Sequence, residues 1–84
     1  MKTNWKEFNN SIEREFEFRS FQEALKFVNK VAQLAEIQNH HPDIFMHDYR
    51  KVKISMCTHS AGDVVTSKDY RLAEGIDRLT NLES

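Results

Sequence analysis

The chain carries four histidines, His40, His41, His47 and His59, all between positions 40 and 59. Imidazole is the side chain whose unperturbed pKa, about 6.5, lets it give and take protons near neutral pH. Three readings fit such a cluster. The histidines are surface and turn residues, or three of them with a carboxylate hold zinc, or they perform metal-free acid/base chemistry on a small polar heterocycle. Against zinc, the adjacent His40 and His41 point in different directions, and no His-x-x-x-His or Cys-x-x-Cys spacing is present. Cys57 has no motif of a catalytic thiolate around it, and Ser60 beside His59 is adjacency rather than nucleophile–base geometry. There is no Gly-rich phosphate loop. Lys51 and Lys53 read as a solvated strand face and His47 as a surface residue.

These histidines fall at the ends of strongly patterned elements. Residues 12–18 alternate Ile12, Arg14, Phe16, Phe18 against Glu13, Glu15, Glu17, the period of a half-buried strand. Its three glutamates face water or a basic neighbour strand. Trp5-Lys6-Glu7-Phe8 reads as a shorter partner strand, and Asn9-Asn10-Ser11 as the turn between them. Ser20-Phe21-Gln22-Glu23 is a capping-box signature. Behind it Phe21, Ala24, Leu25, Val28, Val31, Ala32 and Ala35 form one helical stripe, widened by Phe27, Leu34 and Ile37. That width fits a broad core contact or a helix that also touches a partner. Asn39 ends this helix and Pro42 forbids its continuation.

Alternation returns over residues 51–58, with Val52, Ile54 and Met56 on one face. Ile44-Phe45-Met46-His47 is its expected hairpin partner, turning at Asp48-Tyr49-Arg50. Ser60-Ala61-Gly62-Asp63 reads as a loop. Thr66-Ser67-Lys68-Asp69 is a second capping box, opening a helix whose inner face is Leu72, Ala73, Ile76 and Leu79. Gly75 weakens that helix by about 1 kcal/mol relative to Ala. The order is strand-strand-helix-strand-strand-helix. It predicts an α+β, two-layer architecture, a four-stranded antiparallel sheet with helices packed on one face, as a single domain over residues 1–84. His40-His41 just past the first helix and His59 at the end of a strand then project from rigid elements toward a shared cleft.

Composition narrows the function classes. At 84 residues, such a chain buries only about 60–65% of its unfolded surface, so the core is small and self-association is expected. The single cysteine excludes an intramolecular disulfide framework and fits a reducing compartment. No apolar run approaches the ~20 residues of a membrane span, and residues 1–8 lack the apolar stretch of a signal peptide. A net charge of −1 gives no general pull on nucleic acid or anionic lipid. No nucleic-acid or membrane partner is expected, and the expected location is cytoplasmic.

Glu36-x-x-x-His40-His41-Pro42, then Tyr49, His59 and Asp69, resembles the signature of the pterin-4a-carbinolamine dehydratases. Ile12-Glu13-Arg14-x-Phe16-x-Phe18, Ala35-Glu36, Val52-x-Ile54-x-Met56-x-Thr58-His59 and Leu72-Ala73 resemble the surrounding text, so the likeness runs over residues 5–79. The resemblance implies a compact α+β enzyme, without metal or bound cofactor, that removes water from 4a-hydroxytetrahydropterins to give the quinonoid dihydropterin. That reaction recycles the cofactor of aromatic amino-acid hydroxylases. It further implies a homodimer or homotetramer, with His40 and His59 as the acid/base pair and His41 mainly holding the pterin. In this setting Asp69 orients a histidine or accepts from the pterin's N–H groups, besides its capping role. Glu36 orients His40 one turn on, or is a solvated helix end, and Pro42 directs the His-His pair or simply stops the helix. Members of the family in animals also stabilise the dimerisation segment of a homeodomain transcription factor, so a non-enzymatic interaction module is the alternative. Two departures stand out. Only four residues precede Trp5 where the family carries a further helix, which is expected to alter packing and assembly. The loop 61–66 is one residue longer, which loosens the placement of Asp69.

Overall fold

The computed structural model describes residues 5–83; the N-terminal departure at residues 1–4 lies outside them. The elements are β1 (Lys6–Phe8), β2 (Ser11–Glu17), α1 (Phe21–Gln38), β3 (Asp43–His47), β4 (Lys51–Met56), a short 3-10 turn (His59–Ala61) and α2 (Ser67–Glu83). The architecture is the expected α+β one, a four-stranded antiparallel sheet with two helices. The order β1-β2-β4-β3 puts the two strongly alternating strands at the centre and leaves β1 and β3 as edges.

The alternation decides which face is covered. Ile12, Phe16, Val52, Ile54 and Met56 point inward and join Ala24, Phe27 and Val31 of α1 and Leu72, Ala73 and Ile76 of α2 in one buried cluster. Both helices therefore lie on the same face of the sheet. Phe27 is the centre of that contact, with its ring 4.8 Å from Phe16 and 4.9 Å from Phe18. The buried line of α1 is Ala24, Phe27, Val31 and Ala35, rotated from the expected stripe. Phe21, Leu25 and Ile37 are exposed, as is Ala32. The shift follows from the aromatic inner side of β2, against which the Phe27 ring packs. Arg14, the one charge on that inner face, is met by Asp77 of α2 at 2.5 Å, and its guanidinium lies 4.4 Å over the Phe16 ring.

On the open face the glutamates do find a basic neighbour. Lys53 stands opposite Glu15 and bridges Glu13 at 3.5 Å, Arg50 pairs with Glu17, and His47 reaches Glu15 at 3.0 Å. Asn9 and Asn10 form a two-residue hairpin loop with φ of 51° and 62°, the doubly left-handed turn that matches strand twist. Ser20 caps α1 as expected, accepting from the Glu23 amide at 3.1 Å, but Glu23 reaches back to the Arg19 amide rather than to Ser20. Gly75 has a packing role. A Cβ there would sit 2.7 Å from Leu34 Cδ2, so glycine lets α2 approach α1 closely. β4 is shorter than its alternation suggests. It ends at Met56 because the chain bends to form a bridge between Thr58 and Val64.

Candidate active site

Three chain ends meet where the histidines stand: the C-terminus of α1, the segment after β4 and the N-terminus of α2. Asn39 closes α1 in the left-handed region, φ 52° and ψ 43°. Its amide bonds the Glu36 carbonyl and the His40 amide bonds the Ala35 carbonyl, a Schellman arrangement that ties the backbone of His40 to the helix. Thr58 continues the inward parity of Val52, Ile54 and Met56, so its hydroxyl is the polar end of an otherwise apolar row. Asp69 opens the buried line of α2 that runs on through Leu72, Ala73 and Ile76.

Asp69 is the hub. Its side chain is fully buried, and His40 Nε2 donates to its Oδ1 at 2.6 Å. The Oδ2 accepts from the Thr58 hydroxyl and from the Thr66 amide, each at 2.8 Å. Thr66 Oγ1 lies 2.6 Å from Thr58 Oγ1 and accepts from the Lys68 amide at 3.3 Å. With the Thr58 proton given to Asp69, the Thr66 hydroxyl donates to Thr58, and every group in the network is paired. Burying a carboxylate without such donors is prohibitive; here it accepts three bonds. Because His40 donates through Nε2, its Nδ1 carries the lone pair. Asp69 thus touches a histidine, as one expectation had it. Both its oxygens are buried and bonded within the protein.

His41 is exposed and pairs through Nε2 with Glu36 at 2.5 Å. Of the two expectations for Glu36, orienting His40 or standing as a solvated helix end, the structure gives the solvated end, where it pairs with His41, because the left-handed Asn39 turns His40 inward toward Asp69 and His41 outward along the helix. Pro42 follows directly, half-buried before β3. His59 lies on the 3-10 turn rather than on the strand, exposed, with Nδ1 donating to Asp63 at 2.6 Å. The Asp63 hydrogen bond, and then the Asp63 charge, raise the His59 pKa above its ordinary value. Gly62, at φ 91°, and Asp63, at φ 60°, make the turn that brings Asp63 back. Its amide bonds the Thr58 carbonyl at 3.1 Å. His47 is elsewhere, stacked on Phe45 on the open face.

Thr58, Thr66 and Asp63 were not foreseen as supports of the site. The only signals were the i, i+4 spacing of His59 and Asp63 and the threonines beside His59 and before the second helix. A concavity of about 700 Å³ lies between the sheet and the start of α1, lined among others by Arg14, Phe18, Arg19 and Arg50. None of the histidines lines it.

The fold and the site define an open-faced α+β protein with three imidazoles, His40, His41 and His59, each braced by a carboxylate. The profile of the family described as "Pterin 4 alpha carbinolamine dehydratase" matches residues 1–79, and the chain belongs to that family. A protein of Picosynechococcus sp. is 45% identical over 75 residues, 89% of this chain and 79% of its own. One of Sulfurisphaera tokodaii is 44% identical over 75 residues, 89% of this chain and 78% of its own. Both bear the name "Putative pterin-4-alpha-carbinolamine dehydratase". Among solved structures, a transcriptional coactivator/pterin dehydratase from Brucella Melitensis is 31% identical. It has a TM-score of 0.81 and covers 89% of this chain and 80% of that one. A pterin dehydratase-like RuBisCO assembly factor of the alpha-carboxysome shares the fold at a TM-score of 0.75 and 22% identity, over 92% of this chain and 89% of that one. Among the described residues no helix is long and apolar enough to cross a membrane.

Proposed function

We propose that the chain dehydrates 4a-hydroxytetrahydropterin to the quinonoid dihydropterin. The C4a–O bond breaks, the hydroxyl leaves with an added proton as water, and a ring nitrogen gives up its proton. His59 is the acid. Asp63 holds a proton on it to higher pH than an ordinary histidine keeps one. His40 is the base, because Asp69 occupies its Nε2–H and leaves the Nδ1 lone pair to accept. His41, turned outward with Glu36 behind it, holds the pterin beside Pro42. Positioned proton transfer of this kind is worth about 10²–10⁴ in rate, and the chain's own side chains perform both transfers. The observation that carries the reading is the shared carboxylate: one buried Asp69 accepts from His40 and from Thr58, the residue next to His59. In this reading the protein regenerates a pterin cofactor for a hydroxylase and works as a dimer or tetramer, as its small core favours.

The test is carbinolamine dehydration by the purified protein beside His40→Ala and His59→Ala. A large loss in both variants supports the reading; rates equal to buffer for all three proteins refute it. The non-enzymatic reading, an interaction module, rests on the exposed Phe21, Leu25 and Ile37 of α1 and would survive that second outcome.

A further inference from the structure

On the outer side of the segment after β4, Cys57, His59 and Asp63 offer a sulfur, an imidazole nitrogen and a carboxylate oxygen within 4.8 Å of one another. From this geometry we infer a binding site for a thiophilic divalent cation, zinc being the best match. The His59 Nδ1 is 4.0 Å from Cys57 Sγ and 2.6 Å from Asp63 Oδ1. Around a tetrahedral zinc, with bonds of about 2.0–2.3 Å, donor atoms stand about 3.3–3.7 Å apart. The sulfur must therefore move in by a few tenths of an ångström and the carboxylate out by less than about 1 Å. Both are within rotamer adjustment.

The scaffold is already fixed. The Thr58 amide bonds the Val64 carbonyl at 2.8 Å, the Asp63 amide bonds the Thr58 carbonyl at 3.1 Å, and the Gly62 amide bonds the His59 carbonyl at 3.1 Å. The Cys-x-His-x-x-x-Asp spacing thus sits on a closed loop rather than a floppy one. Thiolate, imidazole and carboxylate together select zinc, cobalt or copper over magnesium and calcium. His59 and Asp63 are exposed and Cys57 half-buried, so an ion reaches them from water and keeps a water in its fourth position. Burial, and then the negative charge of Asp63, disfavour a free Cys57 thiolate; a bound cation offsets both by pairing with the sulfur. Binding replaces the thiol proton by a sulfur–metal bond and releases it to solvent, and Nδ1 gives up its proton, to solvent from the imidazolium or to Nε2 from the neutral ring.

A consequence follows that rests on the reading of His59 as the acid. With Nδ1 on the metal, the ring can hold its remaining proton only at Nε2 and no longer exists as an imidazolium. The ion is thus an inhibitor of the proposed reaction and not its cofactor.

The test titrates the purified, metal-free protein with Co²⁺ and reads the sulfur-to-cobalt charge-transfer absorption. One equivalent is expected to develop the band, added Zn²⁺ to abolish it, and excess Mg²⁺ to leave it. Cys57→Ser and Cys57→Ala are expected to show no band, with far-UV circular dichroism unchanged. Asp63→Asn is expected to weaken binding at least about tenfold, as lost ligand support does. No band in the wild type, or a band that survives in both Cys57 variants, overturns the site. In the activity arm, one equivalent of Zn²⁺ is expected to stop turnover in the wild type but not in Cys57→Ser. A cobalt band without inhibition upholds the metal site and counts only against the role given to His59.

Discussion

Replacing Asp69 by Asn tests the core of the mechanism, because the structure dictates how the amide must sit. Asn has nearly the shape of Asp but only one acceptor oxygen. At the Oδ2 position it faces the Thr58 hydroxyl and the Thr66 amide, and at the Oδ1 position it faces His40 Nε2. A backbone amide cannot turn into an acceptor. Placing the new NH₂ against Thr66 would leave two buried donors facing each other, at about 1–3 kcal/mol. Placing it against His40 needs only that the imidazole move its proton from Nε2 to Nδ1. The second arrangement wins, and it removes the lone pair with which His40 accepts a proton. Activity is expected to fall by about 10²–10⁴, the worth of a positioned proton transfer. Stability is expected to fall by about 1–2 kcal/mol, as charge-assisted bonds become neutral ones. In a domain of this size that lowers Tm by about 4–16 °C. Dehydratase kinetics, thermal unfolding and the ¹⁵N-detected tautomer of His40 read all three quantities. Wild-type turnover in a folded Asp69→Asn protein, or His40 still protonated at Nε2, would refute the assignment of the base.

Other consequences are equally concrete. The Asp63 hydrogen bond and charge raise the His59 pKa, so an acid at this position is lost only as pH rises through that raised value. Asp63→Asn removes the charge and leaves only a neutral acceptor for the Nδ1–H, so it is expected to move the alkaline limb of the pH–rate profile to lower pH, toward that of an ordinary histidine; an unmoved limb would exclude His59 as the acid. Asn10 sits at φ 62° in the β1–β2 loop. Asn10→Ala is expected to cost about 1 kcal/mol, or about 4–8 °C in Tm, whereas Asn10→Gly is not expected to lower Tm. An unchanged melting temperature for the alanine variant would contradict the doubly left-handed turn.

Much of the architecture was legible because its signals are local. Alternation in β2 and β4, the caps at Ser20 and Thr66, the double Asn turn and the stop at Asn39 each depend on a few neighbouring residues. Where α1's buried line fell depended instead on a distant match. Phe27 entered the core because β2 presented Phe16 on its inner face and Phe18 just past its end, and periodicity alone could not choose between two adjacent stripes. The end of β4 at Met56 has a related reason. Its alternation continues to Thr58, but that hydroxyl is taken by Asp69, and the chain must leave the ladder to bring it there.

The histidines, their order and the acidic residue at the second helix's start are properties of the sequence, since they depend on residue type and spacing alone. The pairing of those groups is not. Spacing suggested Glu36 for His40, one turn along the helix, yet the left-handed Asn39 and the inward row ending at Thr58 deliver His40 to Asp69, 29 residues away. A buried carboxylate is tolerated only where several donors converge on it, and convergence of separate strands and helices is settled by packing in three dimensions.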